Sequence, residues 1–390
     1  MTAFFNTGLT QQQFLEQYWQ KKPLLIRQAF VDFQTPISPD DLAGLACEAD
    51  IESRLIQEHG EAGPWDVRSG PFTEEDFAEL PPTHWTMLVQ DVDKHCPEVQ
   101  YLLDPFRFIP DWRRDDLMVS YASEHGSVGP HTDGYDVFLL QAMGTRHWQI
   151  GNEAIQDAEL IQGLDIQILQ EFEADQSWDL QPGDMLYLPP HFAHHGVALN
   201  DCMTFSVGFR APSKMDVLDA VINAMLEQEL GKDRYSDPAL TVSQHPHEIS
   251  QHAIAEIKQL LHASIEEATP IIASALGCLV TDTKSSLVEL AEQYGSEAIN
   301  RGEISDLFNQ GQQLERNLYY RIAWTVTEHK GGQLFFAGEA HELSDKEHLI
   351  KLSENSLITP EDWSQFKQSP QTIDLLCHLI AEGAWYWKNG

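Results

Sequence analysis

Between about residue 115 and residue 212 the apolar segments of this chain become short and are separated by Gly, Pro and Asp turns. DLMVSYAS, YDVFLLQA, RHWQIG, DMLYLP, GVAL and MTFSVGF each read as a strand. Many short strands with turns between them point to a barrel or a double-sheet jelly roll. No other feature of the chain restricts its fold as strongly.

The flanking sequence is helical in texture. In TQQQFLEQYWQ, residues 10–20, Phe14 and Tyr18 fall on one helix face with Leu15 beside them. KKPLLIRQAF reads as a strand entered through Pro23, and SPDDLAGLA as a helix N-capped by Ser38. Residues 72–95 are mixed, with TEEDFAEL and THWTMLVQDV expected as helical pieces. After Ala211-Pro212 the apolar positions of MDVLDAVINAMLEQEL recur at helical spacing, and residues 248–277 supply one or two further helices. The last ~90 residues mix helices with a hairpin, AWTVTEHKGGQLFFAG, expected to turn at Gly331-Gly332.

A length of 390 residues favours two or three domains. The 24 Lys and Arg against 61 Asp and Glu leave a formal net charge of −37. Such a surface repels phosphate backbones, which are bound mainly through Lys and Arg, so no direct nucleic-acid contact is expected; the same field attracts basic partners. The five cysteines are scattered and form no CxxC pair, which argues against a structural zinc site and suits a reducing compartment. The N-terminus lacks a secretory pattern. No stretch is read as the ~20 apolar residues of a membrane span, and a cytoplasmic protein is expected.

Three segments carry chemistry. In GPHTDGYDVFLL, His131 and Asp133 are two apart on an apparent strand, so both face one side. In QPGDMLYLPPHFAHHGV a strand ends at Pro189-Pro190 and presents His191, His194 and His195, one of which could complete a two-histidine, one-carboxylate triad. That ligand set leaves open metal positions and marks non-haem iron(II) oxygenases, whereas zinc more often takes three or four N or S ligands. Arg146, in MGTRHWQIG, lies on the expected next strand. A guanidinium inside a barrel needs an anion, and its fork suits a carboxylate such as that of 2-oxoglutarate. Tyr135 continues the 131, 133 face and could border the same pocket.

The HxD pair, the following basic residue and PGDxLYxPPxFxHxG resemble the JmjC-type cupin oxygenases. The match is closer still to the bacterial ribosomal oxygenases, which hydroxylate an arginine side chain of the sixteenth large-subunit ribosomal protein. FLEQYWQKKPLLIR, PISPDDLAGLA, FRFIPDWRRDDLMVSYA, VGPHTDGYDVFLLQ, PGDMLYLPPHFAHHG and SVGFRAP carry this resemblance over roughly residues 10–212.

The resemblance implies an α+β chain. Its parts are a JmjC/cupin double-stranded β-helix over 1–212, a helical dimerisation region over 213–280 and a C-terminal winged-helix-like module over 281–390. It implies iron(II) on His131, Asp133 and His194, and 2-oxoglutarate on Arg146 and Ser120. It also implies a homodimer acting on a basic ribosomal protein at the β-carbon of an arginine. Two other readings remain: a demethylase of methylated Lys or Arg, and a non-catalytic cupin. Of the remaining histidines, His245, His247 and His252 read as a solvated loop, and His59 with Glu61 as a chance spacing.

Overall fold

The computed structural model of the chain describes residues 2–58, 65–242, 244–327 and 331–388; His59 and Glu61 lie outside them. It divides into two compact units, residues 1–211 and 212–390.

The first unit opens with α1 (Gln11–Gln17), α2 (Pro39–Ala46), α3 (Glu74–Ala78) and the single turn α4 (Val92–His95). Capping boxes start the first three: Thr10, Ser38 and Thr73 each accept from the backbone N–H three residues on, and the side chain there reaches back. Among the described residues, the strands of this unit are β1 (Leu24–Ile26), β2 (Ser53–Gln57), β3 (Asp66–Ser69), β4 (Trp85–Val89), β5 (Arg114–Ala122), β6 (Asp136–Met143), β7 (Arg146–Ala154), β8 (Gln176–Leu180), β9 (Met185–Leu188), β10 (Phe192–Ala198) and β11 (Cys202–Phe209). They form an eight-stranded antiparallel sheet, in the order β1-β9-β6-β11-β5-β4-β2-β3, and a three-stranded sheet, β10-β7-β8.

The period of two along each strand assigns its residues to two faces. On β11, Met203, Phe205, Val207 and Phe209 join Phe138 and Leu140 of β6 in the larger core, where Phe4, Phe14, Phe106 and Tyr187 also sit. The opposite face turns Val137, Leu139, Leu186 and Leu188 toward Trp148, Ile150 and Leu180 of the small sheet. Both faces of the central strands are therefore covered, which is why β11 is buried along its whole length.

In the large sheet, one segment expected to be helical is a strand: within THWTMLVQDV, Trp85–Val89 forms β4, paired with β2 and β5. Its apolar content suits either state in isolation, and pairing on both edges decides for the sheet.

The second unit begins with α5 (Lys214–Glu227), followed by α6 (Gln251–Ala268) and α7 (Ile272–Thr281). By length and composition alone the helical run Gln251–Thr281 is long and apolar enough to cross a membrane, contrary to the expectation that no stretch approaches that length. In α7 the apolar residues have a partner: the helix packs on a three-stranded sheet, with Gly277 against the Phe335 ring. That sheet is built from β13 (Ile322–Thr327), β14 (Gly331–Phe336) and β15 (Glu339–Leu343), after the short β12 (Leu314–Arg316). The hairpin is present, but Gly331 and Gly332 are strand residues that pair with Thr327 and Val326, not its turn. A Cβ on Gly332 would meet the Thr325 carbonyl oxygen at 2.1 Å, so the glycine serves close strand approach. The helices α8 (Val288–Glu292), α9 (Arg301–Asn309), α10 (Lys346–Glu354), α11 (Pro360–Phe366) and α12 (Pro370–Ala381) surround a core that includes Leu352, Phe366, Leu376 and Trp385.

Candidate active site

The cavity between the two sheets of the first unit has a volume of about 420 Å³. Ser120 of β5, Thr204 and Ser206 of β11, and Arg146 and Trp148 of β7 line it, all from strand faces that point inward. His131, Asp133 and His194 stand on the same wall.

His194 is a β10 residue, whereas His131 and Asp133 precede β6 and share no strand, contrary to expectation. Backbone pairing brings them together instead. The His131 N–H donates to the His194 carbonyl at 3.0 Å, and the His194 N–H to the His131 carbonyl at 2.9 Å. Asp133 is fixed by the His191 N–H, which donates to its carbonyl at 2.7 Å. The ligand atoms of the three residues then lie within 4.8 Å of one another: Nε2 of His194 is 3.5 Å from Asp133 Oδ2, and Nε2 of His131 is 4.0 Å from Asp133 Oδ1.

The ring orientation fits metal ligation. Nδ1 of His131 faces the Gly129 carbonyl at 2.9 Å, and Nδ1 of His194 faces the Phe192 carbonyl at 2.9 Å. A carbonyl can only accept, so Nδ1 carries the proton and each Nε2 keeps its lone pair toward Asp133. Burial, with His131 alongside, pushes His194 down to about 4, which keeps the imidazole neutral. Of the three histidines after Pro190, the geometry selects His194. His191 contributes only its backbone, and His195 faces Phe172, their ring centroids 6.1 Å apart.

Arg146 is 2% exposed. Its Nη1 donates to Ser120 Oγ at 3.4 Å and its Nη2 to the Gly196 carbonyl at 3.2 Å, and the guanidinium lies 5.1 Å from the Trp148 ring. Its Nε has no hydrogen-bond partner, and among the described residues no carboxylate pairs with it. Burial pulls its pKa below the ordinary arginine value. A desolvated cation without a counter-ion is costly, and an anionic ligand relieves it.

Sequence reading passed over three residues here. Thr204 and Ser206 alternate with apolar neighbours in MTFSVGF, a pattern that reads as a solvated face but lines the cavity. A Cβ on Gly196 would lie 2.8 Å from Arg146 Nε and 2.7 Å from the Trp148 ring, so only glycine lets the guanidinium settle there. His245, His247 and His252 are exposed and form no ligand cluster among the described residues.

Comparison with known proteins agrees with this architecture. The JmjC domain family matches residues 101–217, and the ROXA-like winged helix family matches residues 270–386. The chain is 34% identical to the ribosomal protein uL16 3-hydroxylase of Escherichia coli over 385 residues, 99% of this chain and 100% of that one. It superposes on the crystal structure of E. coli YcfD with a TM-score of 0.85 and 32% identity, covering 98% of this chain and 99% of that chain. A structure of E. coli YcfD described as a ribosomal oxygenase in complex with cobalt and 2-oxoglutarate gives a TM-score of 0.81 and 31% identity over 98% and 99% of the two chains.

Proposed function

The chain belongs to the JmjC-domain ribosomal oxygenases, and we propose that it is an iron(II)- and 2-oxoglutarate-dependent hydroxylase of an arginine in a large-subunit ribosomal protein. His131, Asp133 and His194 hold the iron through Nε2, a carboxylate oxygen and Nε2. When bound, iron(II) with 2-oxoglutarate and dioxygen supplies the oxidising chemistry, with succinate and carbon dioxide as co-products. Arg146 grips the far carboxylate of 2-oxoglutarate, with the Ser120 hydroxyl beside it. Trp148, Val137 and Leu139 keep water from that end of the cavity. Tyr135, half-exposed and on the cavity wall, borders the place where a substrate side chain enters.

The observation that carries this reading is the convergence of a two-histidine, one-carboxylate cluster with a buried arginine that has no paired acid among the described residues, all in one cavity. An uncoupled binding cupin would have no need of that combination. The ribosomal-protein target is supported by the uL16 3-hydroxylase relative; the arginine is what the motif resemblance over residues 10–212 implies. The net charge of −37 suits a basic substrate and disfavours nucleic acid. A ribosomal protein substrate is consistent with the expected cytoplasmic location.

We further assign residues 213–280 to dimerisation, apart from a winged-helix-like module at 281–390. Met215, Leu218, Ile222 and Leu226 on α5 repeat at three- and four-residue spacing, as do Ile254, Ile257, Leu261 and Ile265 on α6, and all are exposed. Two apolar rows of this kind suit a second copy of the chain.

Purified protein should form succinate from 2-oxoglutarate only with iron(II) and should add the mass of one oxygen atom to one arginine-containing peptide of the ribosomal protein. A ribosomal protein of unchanged mass from a strain lacking this enzyme would sink the substrate assignment. Loss of a methyl group from a methylated peptide would favour demethylation instead.

A further inference from the structure

The second unit contains a second set of the same ligand types. Glu339 and His341 are two apart on β15, the edge strand of its three-stranded sheet, so both side chains leave one face. His378, in the last turn of α12, meets them from the helix that packs on that strand. One ligand atom from each of Glu339, His341 and His378 lies within 4.8 Å of the others. Nε2 of His341 is 3.8 Å from Glu339 Oε2, and the rings of His341 and His378 have centroids 5.0 Å apart.

A second observation points to a ligand. Nε2 of His341 is buried and has no hydrogen-bond partner among the described residues, although the Glu339 carboxylate stands just beyond hydrogen-bond reach. Buried polar atoms are nearly always satisfied, and an imidazole nitrogen facing a carboxylate and a second imidazole is satisfied by a cation among all three. The Phe336 ring, with its centroid 6.3 Å from His341 and 6.5 Å from His378, backs both imidazoles with an apolar wall.

We propose that Glu339, His341 and His378 form a metal site that takes a borderline divalent cation, zinc in the first place, and clamps β15 to α12. Donor types alone do not separate this site from the barrel triad, but two imidazoles and one carboxylate, with water in the fourth tetrahedral position, are also a set that zinc takes. The site stands apart in sequence from the barrel triad, with ligands supplied by a strand and a helix of the other unit. Its role is to brace the C-terminal module by tying β15 to α12.

The test counts zinc. Metal-stripped full-length protein is loaded with zinc ion alone, desalted and assayed for zinc per chain, beside His341→Ala, His378→Ala and Glu339→Gln. The two histidine variants should each lose about one zinc per chain relative to the parent, and Glu339→Gln should weaken that equivalent at least about tenfold. Glu339 is exposed, so its amide variant keeps the test valid should a histidine variant fail to fold. His131→Ala separates this equivalent from any held in the barrel, so failure here and failure of the oxygenase reading are distinguishable. Unchanged zinc content in all three variants overturns the site. So does loss of the equivalent on His245→Ala/His247→Ala instead, which would mark adventitious binding by exposed histidines.

Discussion

The barrel interior and the α5–α6 surface invert the usual distribution of side chains in opposite senses. Inside the barrel, Arg146 and His194 are each 2% exposed, and Ser120, Thr204 and Ser206 are buried beside them. On the helices, Met215 is 71% exposed, Leu226 69% and Leu261 60%. Neither arrangement is stable as it stands: buried charge wants a partner, and a continuous apolar row wants to leave water. Each therefore records what must arrive. Polar groups turned inward around a cavity imply a small charged ligand, whereas apolar groups turned outward at helical spacing imply another protein surface.

Removing a ligand at the barrel end should have the largest effect. His194→Ala should lower succinate formation by more than about 100-fold, since even outer partners of a metal site are worth about 10–100-fold. Iron content, measured alongside, should fall with it; full turnover would break the assignment of this cavity.

Asp93 supplies the contrast of a buried charge whose partner belongs to the chain. Burial pushes its carboxyl up, but the adjacent Lys94 ammonium and the Leu117 N–H, donating at 2.9 Å, outweigh this and hold it below the ordinary carboxylate range. Asp93→Ala should cost about 3 kcal/mol in urea unfolding, because Lys94 is left without it. A carboxyl lowered in the folded state adds stability above its unfolded pKa of about 4 and loses it as pH falls through the folded value. The parent should therefore lose stability in acid more steeply than Asp93→Ala; parallel curves would count against the pairing.

On the apolar side, Leu218→Asp combined with Leu261→Asp should weaken self-association by about 30-fold, roughly 2 kcal/mol, as a charge is carried into a buried contact. Sedimentation at micromolar concentration reads this directly. A parent that sediments as a monomer would remove the second copy from the argument.

Arg146→Lys retains charge but loses the planar fork, and should raise the KM for 2-oxoglutarate by about tenfold while the KM for the protein substrate stays put. Arg146→Met goes further. It should raise that KM further, by about 30-fold, yet leave the ligand-free protein no less stable, because the unpaired buried cation is gone. Salt should have the smallest effect, a few-fold loss in kcat/KM for a basic substrate between low and high ionic strength, with turnover at saturation unchanged.

The triad was legible in sequence as residue types and spacing, but its assembly was not. HxD and FAHH name the ligands, yet which histidine completes the set depends on backbone hydrogen bonds between residues 131 and 194, far apart along the chain. The strand at 85–89 was missed for a related reason: its partners, 53–57 and 114–122, lie in other segments and outweigh local preference.

By itself the amino-acid sequence determined the strand-rich character of residues 115–212, the capped helices around it, the acidic field and the identity of the iron ligand candidates. These depend on local patterns: side-chain period, turn residues, capping positions and charge. The tertiary structure alone decided which face of each alternating strand sees water. In MTFSVGF the polar positions look into a cavity, because a second sheet covers them, and no periodicity along one strand can report what another strand places opposite it.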